Sequence, residues 1–215
     1  MQFGIKNRFT GKVQFTAEID ATDDTPLSIK LGLSVKWAIK HRASLAGAYL
    51  ADAYLEGADL ADANLAGAYL VDAYLKGASF KGASLAGADL ARANLVDAYL
   101  IDAYLVNAYL AGADLTGANL TRADLTRADF VGSDLAGTNL VDGGQRSDGY
   151  RFVGWIKDGA LQISAGCRNF TITEARNHWM ETRGGTPLGD ETMCILDHIE
   201  FVARIRGLIP AQEVK

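Results

Sequence analysis

From Leu45 to Leu140 every fifth residue is leucine or phenylalanine, twenty positions without a break. A period of five suits neither ordinary secondary structure. On an α-helix, steps of five advance by roughly 140°, so the leucines would wind around the cylinder and form no face. On a flat strand, an odd period places successive leucines on opposite sides. They share one core only if the chain turns a corner at each repeat, which describes a solenoid.

A second column runs beside the first. Two residues before each Leu or Phe stands alanine, from Ala43 to Ala128, followed by Ser133 and Thr138. Each pentapeptide therefore has two inward positions. The large side chain fills the centre, and the small one sits where the wall comes close. The other three positions vary in charge and size and face water. Glycine two places after the Leu, as at Gly47, Gly57, Gly67 and Gly77, fits the corners.

The pattern of Ala58-Asp59-Leu60 and Ala118-Asn119-Leu120 resembles the pentapeptide-repeat family over about 100 of 215 residues. The resemblance implies a mainly β fold: a right-handed quadrilateral parallel β-helix with four pentapeptides per coil, hence about five coils. Residues twenty apart then stack in columns. One face reads Tyr49, Tyr69, Asp89, Tyr109, Asp129, and the next Tyr54, Tyr74, Asn94, Asp114, Asp134. The third reads Asp59, Ser79, Tyr99, Asn119, Asn139, and the fourth Ser44, Asn64, Ser84, Tyr104, Asp124. Seven of the eight tyrosines precede a repeat Leu, and they concentrate on two adjacent faces early in the array. Tyrosine suits β structure and stacks between rungs, and it is also enriched where proteins meet. Aspartate before the Leu bonds readily to local backbone.

The ends of a solenoid expose leucines and strand edges, so flanking segments should cap it. Residues 1–41 read as such a cap. Phe3 to Arg8 and Lys12 to Ile19 alternate as two strands around Thr10-Gly11. Pro26 through Lys40 reads as a helix with Thr25 as N-cap. Its apolar stripe is Leu27, Leu31, Val35, Ala38 and Ile39, joined by Trp37. The repeat domain covers 42–142.

Residues 143–215 read as a small α+β domain. Gly143-Gly144-Gln145-Arg146-Ser147 looks like a linker. A hairpin follows, Tyr150 to Lys157 and Leu161 to Ser164, around Asp158-Gly159. Thr171-Ile172-Thr173-Glu174 matches a capping box that opens a helix to about Thr182, stopped by Gly184-Gly185. A second helix should run from about Asp190 to Arg206. Cys167, His178, Cys194 and His198 fall here, and Cys194 and His198 share a helix face. Ten residues separate Cys167 from His178, unlike a short zinc knuckle, and cysteine on an apolar face is more often core filler. No metal, cofactor or catalytic centre is expected.

Net charge is +2 over residues 1–41, −7 over 42–142 and zero over 143–215. An acidic middle argues against direct nucleic-acid binding and no membrane-spanning run is present, so a cytoplasmic protein is expected. Some members of the resembled family mimic the shape and negative charge of duplex DNA and bind DNA gyrase in its place. By that resemblance, the expected role is a non-enzymatic, protein-binding module, with a DNA-binding host protein as partner. Its contact residues would be Tyr49, Tyr54, Tyr69, Tyr74, Tyr109, Asp114, Asp124, Asp129 and Asp134. Arg92, Arg122 and Arg127 interrupt the acidic surface. The competing expectation is an assembly protein that forms homo-oligomers through its Tyr-rich faces or end caps. Leu31 to Lys40 and Ala165 to Thr171 resemble segments of phage-type proteins, which implies a phage origin.

Overall fold

A corner at every repeat needs a tight turn, and the computed structural model, which describes residues 1–157, 159–165 and 168–210, supplies one each time. Each repeat Leu or Phe carbonyl from Leu45 to Leu135 accepts a bond from the amide three residues on; Ala48 N to Leu45 O, at 3.0 Å, is the first. The third residue of each turn has positive φ, from Gly47 at 68° to Gly137 at 69°. Negative φ at the second position and positive φ at the third is the type II pattern, for which glycine is the easiest occupant. Nine of these corners are nevertheless Asp, Arg or Asn, with φ between 56° and 59°.

Between corners the residue before each Leu or Phe forms a β-bridge, pairing with its counterpart twenty residues away. Parallel bridges run from Tyr49↔Tyr69 to Asp114↔Asp134. Each rung is tied from both sides: Leu50 N donates to Tyr69 O at 2.8 Å, and Tyr69 N donates to Ala48 O at 2.9 Å. The repeat region is thus a β-helical solenoid whose walls are one-residue bridges. The inward columns are closed: Leu50, Leu75, Phe80, Leu90 and their alanine neighbours are fully buried. Burying each such leucine contributes about 2 kcal/mol of transfer free energy.

The chain forms two compact units, Met1–Thr138 and Asn139–Lys215. In the first, β1 (Gln2–Lys6) and β2 (Val13–Glu18) form an antiparallel hairpin. α1 (Leu27–Lys40) follows. Asn7 bridges Ala48, and Tyr49 N donates to Lys6 O at 2.8 Å, so the hairpin occupies backbone groups of the first repeats. Tyr54 N donates to Ser28 O of α1 at 3.0 Å. Leu31, Val35 and Ala38 are buried as the stripe requires, but Leu27, at the helix start, is 61% exposed. Trp37 stacks on Phe15 and His41. The N-cap is Pro26 and not Thr25; the Thr25 hydroxyl instead accepts a bond from Thr22 N, closing the preceding turn.

In the second unit, β3 (Val141–Gln145), β4 (Arg151–Lys157), β5 (Ala160–Ala165) and β6 (Arg168–Thr171) form an antiparallel meander. The first three residues of the expected linker, 143–145, therefore belong to a strand. Gly143 serves close packing, since a β-carbon there would lie 2.5 Å from Ile199 Cδ1; in β4, one at Gly154 would lie 2.6 Å from Ile199 Cγ2. The β4–β5 hairpin closes at Lys157↔Ala160, although Asp158 of its turn lies outside the described residues. α2 (Ile172–Arg183) opens on the Thr171–Glu174 capping box. α3 (Pro187–Ile205) starts three residues before the expected Asp190, because Thr186 caps it by accepting from Gly189 N and Pro187 fits its first turn. Phe152, Ile163, Trp179, Leu196 and Ile199 centre this unit's core. Among the described residues, no helix is long and apolar enough to cross a membrane.

Candidate functional site

The outward residue of each repeat is held by the bridge it forms, so its direction is fixed by backbone. Tyr49, Tyr54, Tyr74 and Tyr109 are exposed, at 43–52%, and Tyr69 is half-buried. The columns bring the early tyrosines into pairs. Tyr49 and Tyr69 stack at 5.1 Å between ring centroids, and Tyr54 and Tyr74 lie tilted at 6.3 Å. Tyr69 also receives the Arg8 guanidinium 5.5 Å from its ring centre, and Arg8 donates to Ala68 O at 3.3 Å. Tyr54 donates to the Glu56 carboxylate at 3.1 Å, which holds its phenol above the ordinary tyrosine range. Tyr109 does not join the Tyr49–Tyr69 pair, since Asp89 intervenes in its column.

The four aspartates each commit one oxygen to the corner that follows. Asp114 accepts from Thr116 N at 3.0 Å, Asp124 from Thr126 N at 3.1 Å, Asp129 from Val131 N at 3.0 Å and Asp134 from Ala136 N at 2.9 Å. Asn64, Asn94 and Asn119 make the same bond through their amide oxygen. These residues therefore have a local structural task that asparagine performs equally well. Asp114 and Asp134 share a column; Asp129 and Asp124 stand on two others.

The arginines do more than interrupt the acidic surface. Arg92 grips Asp72 and Arg122 grips Asp102, each pair stacked on one corner and twenty residues apart. Both aspartates are held below the usual carboxylate range, chiefly by the guanidinium hydrogen bonds. These pairs were findable in the sequence as opposite charges at the corner position, one coil apart. They also remove Asp72 and Asp102 from any uncompensated acidic surface.

In the second unit, His178 packs against Phe170 at 5.0 Å and receives Arg168 Nη1 on Nε2 at 2.8 Å. Cys194 and His198 are exposed, and Cys167 lies outside the described residues. Among the described residues, no three His, Cys, Asp or Glu side chains converge as metal ligands. A cavity of about 420 Å³ that sequence reading missed lies beside His178, walled by Arg146, Tyr150, Arg168, Thr182 and Arg183.

Residues 41–77, 68–105 and 103–140 match the family model described as pentapeptide repeats, in 8 copies. No curated protein matches the chain. Among solved structures, a pentapeptide repeat protein from the thylakoid lumen of Arabidopsis thaliana is 24% identical, with 70% of this chain and 88% of that one covered and a TM-score of 0.37. HetL, a pentapeptide repeat protein involved in heterocyst differentiation regulation in Nostoc sp. strain PCC 7120, is 29% identical over 43% of this chain, with a TM-score of 0.25. QnrB1, a plasmid-mediated fluoroquinolone resistance protein, is 22% identical over 45% of this chain, with a TM-score of 0.21. The chain spans 57% of HetL and 64% of that QnrB1 chain. Residues 41–140 belong to the pentapeptide-repeat family.

Proposed function

We propose that this protein is a non-enzymatic, protein-binding module built on a rigid solenoid. The solenoid is a right-handed quadrilateral β-helix of about five coils, capped at its start by the β1–β2 hairpin and α1. One observation carries the reading: the outward columns are held in fixed register, with exposed tyrosines paired early and aspartates late. Ordered, exposed tyrosine offers contact area at low entropic cost. A partner that takes both halves of the surface has an apolar rim beside a basic patch, as a DNA-binding host protein has. Phage origin would supply such a target.

A second reading is assembly of this chain with itself through the Tyr49–Tyr69 and Tyr54–Tyr74 columns. It is supported by the exposure of Tyr49, Tyr54 and Tyr74 on neighbouring repeats, beside the half-buried Tyr69. One experiment separates the two. The full chain is used to capture partners from host extract, beside a variant carrying Asp114→Asn, Asp124→Asn, Asp129→Asn and Asp134→Asn. Asparagine can keep the corner backbone bonds at all four positions, so the variant should fold normally. Capture of a DNA-binding protein that duplex DNA displaces, and that the variant binds weakly, supports mimicry. Equal capture by the variant removes it. Recovery of the protein alone, with a defined oligomer by light scattering that Tyr49→Ala and Tyr69→Ala dissolve, supports self-assembly.

A further inference from the structure

We propose that the cavity beside α2 in the second unit binds a small organic phosphate. Its volume of about 420 Å³ falls in the range that holds a small molecule and is too small for a polymer. The wall is rich in donors: the guanidiniums of Arg146, Arg168 and Arg183, with the hydroxyl of Tyr150. None of the residues lining it is acidic. Guanidinium donates only, so a wall of this composition suits an acceptor-rich anion and matches the oxygens of a phosphate in particular.

The wall is also preorganised. Arg146 is 3% exposed, and its plane is fixed on one edge by Asp148 at 2.8 and 2.7 Å, with Nη1 held to Thr192 Oγ1 at 2.8 Å. Asp148 matches its charge from outside the cavity wall. Arg168 is steadied by His178 Nε2, which must accept because arginine cannot. Thr182 Oγ1 donates to His178 O at 2.7 Å, so its proton is spent within α2 and it offers the anion no bond. Arg183 is exposed in the last turn of α2 and is the member that would close on the anion. Tyr150, 46% exposed, carries the Arg146 guanidinium 5.2 Å from its ring centre and offers a flat face for an aromatic or sugar group attached to the phosphate.

The test is calorimetric titration of the full chain with inorganic phosphate and, separately, with adenosine monophosphate, in chloride buffer of matched ionic strength. Saturable binding of both is expected, tighter for the nucleotide. Arg183→Gln, an exposed change whose fold is checked by circular dichroism, should weaken both probes by about tenfold, the loss of one charge-assisted bond. Tyr150→Ala should weaken the nucleotide and leave inorganic phosphate unchanged. Failure of both probes to saturate, or an unaltered affinity in folded Arg183→Gln, would overturn the site; in the latter case Arg183 serves only the helix dipole. Equal binding of the two probes overturns the organic part of the assignment.

Discussion

Arg92 and Asp72 stand on the same corner of successive coils, joined by two parallel bonds, Nε to Oδ1 at 2.8 Å and Nη2 to Oδ2 at 2.6 Å. Both occupy left-handed backbone, at φ 56° and 58°, where glycine would be easier. The corner thus trades backbone ease for a staple between coils. Arg92 holds the Asp72 carboxyl below its ordinary pKa of 3.8. A depressed carboxylate pKa stabilises the fold above the unfolded value, and that contribution drains as pH falls through the lowered folded value. The pair is exposed, so the effect is small and screened by salt. Asp72→Asn should lower the thermal midpoint slightly near neutral pH in low salt, and the difference should vanish in acid and in high salt. Arg92→Gly should cost less than Asp72→Asn, since it loses the same pair but relieves left-handed strain. Equal midpoints for the two variants would show that strain relief does not operate, and a difference from the parent chain that salt leaves unchanged would show that the pair does not.

How much of this was legible in the sequence depends on which interaction fixes each element. The leucine and alanine columns were readable because one spacing fixes both the turn and the core, and the capping box at Thr171 was readable because it is local. Gly143-Gly144 read as a linker because sequence cannot show that Ile199, far along the chain, presses on that backbone. Thr25 lost the N-cap because its hydroxyl serves the Thr22 turn, a choice between two local geometries. The cavity of the second unit joins residues from 146 to 183 with no spacing of their own. The corner pairs were within reach, but only if the twenty-residue column is read at the corner position as well as at the position before the Leu.

Two glycines separate close approach from backbone strain. Gly57 has φ 60°, and among the described residues no atom lies within 4 Å of where its β-carbon would stand. Gly57→Ala should therefore cost about 1 kcal/mol, from left-handed strain alone. Gly32 is helical and buried, and a β-carbon there would overlap Tyr54 O. Since that atom is backbone of the first coil, α1 must shift. Gly32→Ala should cost about 3 kcal/mol and break the bond from Tyr54 N to Ser28 O. Urea titration gives the energies, and faster hydrogen exchange at the Tyr54 amide reports the displaced helix. Normal protection at Tyr54 in that variant would contradict the packing of α1 on the repeats.

At the start of α2, Thr171 Oγ1 accepts from Glu174 N at 3.2 Å, while the Glu174 carboxylate accepts from Thr171 N at 2.8 Å. Thr171→Ala should cost about 1 kcal/mol, and Thr171→Ser little. The Thr171 amide is the main cause of a Glu174 pKa below the ordinary 4.5. Its contribution is therefore complete above that value and lost as pH falls through the lowered one. Glu174→Gln should flatten the acid limb of the stability curve measured by denaturant titration, whereas Thr171→Ser should preserve it. An unchanged acid limb in Glu174→Gln would place the proton-linked stability elsewhere.

Arg146 and Asp148 make the sharpest contrast with a surface pair. The Arg146 side chain is 2% exposed, and Asp148 is its carboxylate partner at 2.7 Å. The Asp148 side chain is itself 29% exposed, but losing its charge leaves the buried Arg146 guanidinium without a counter-charge in low dielectric, so Asp148→Asn should cost about 3 kcal/mol. Arg151 and Asp142 form a pair at the same 2.7 Å, but the Asp142 side chain is 43% exposed. Water can take over from that carboxylate, and Asp142→Asn should cost no more than about 1 kcal/mol. The pH dependence follows the same pairing. Arg146 keeps the Asp148 carboxyl below its usual 3.8, so the stabilisation persists above that pH and is lost as acid protonates the folded state. Urea midpoints of the two asparagine variants, taken near neutral pH and again in acid, should differ widely in the first condition and converge in the second. Equal midpoints near neutrality would mean that burial of Arg146 does not depend on its carboxylate.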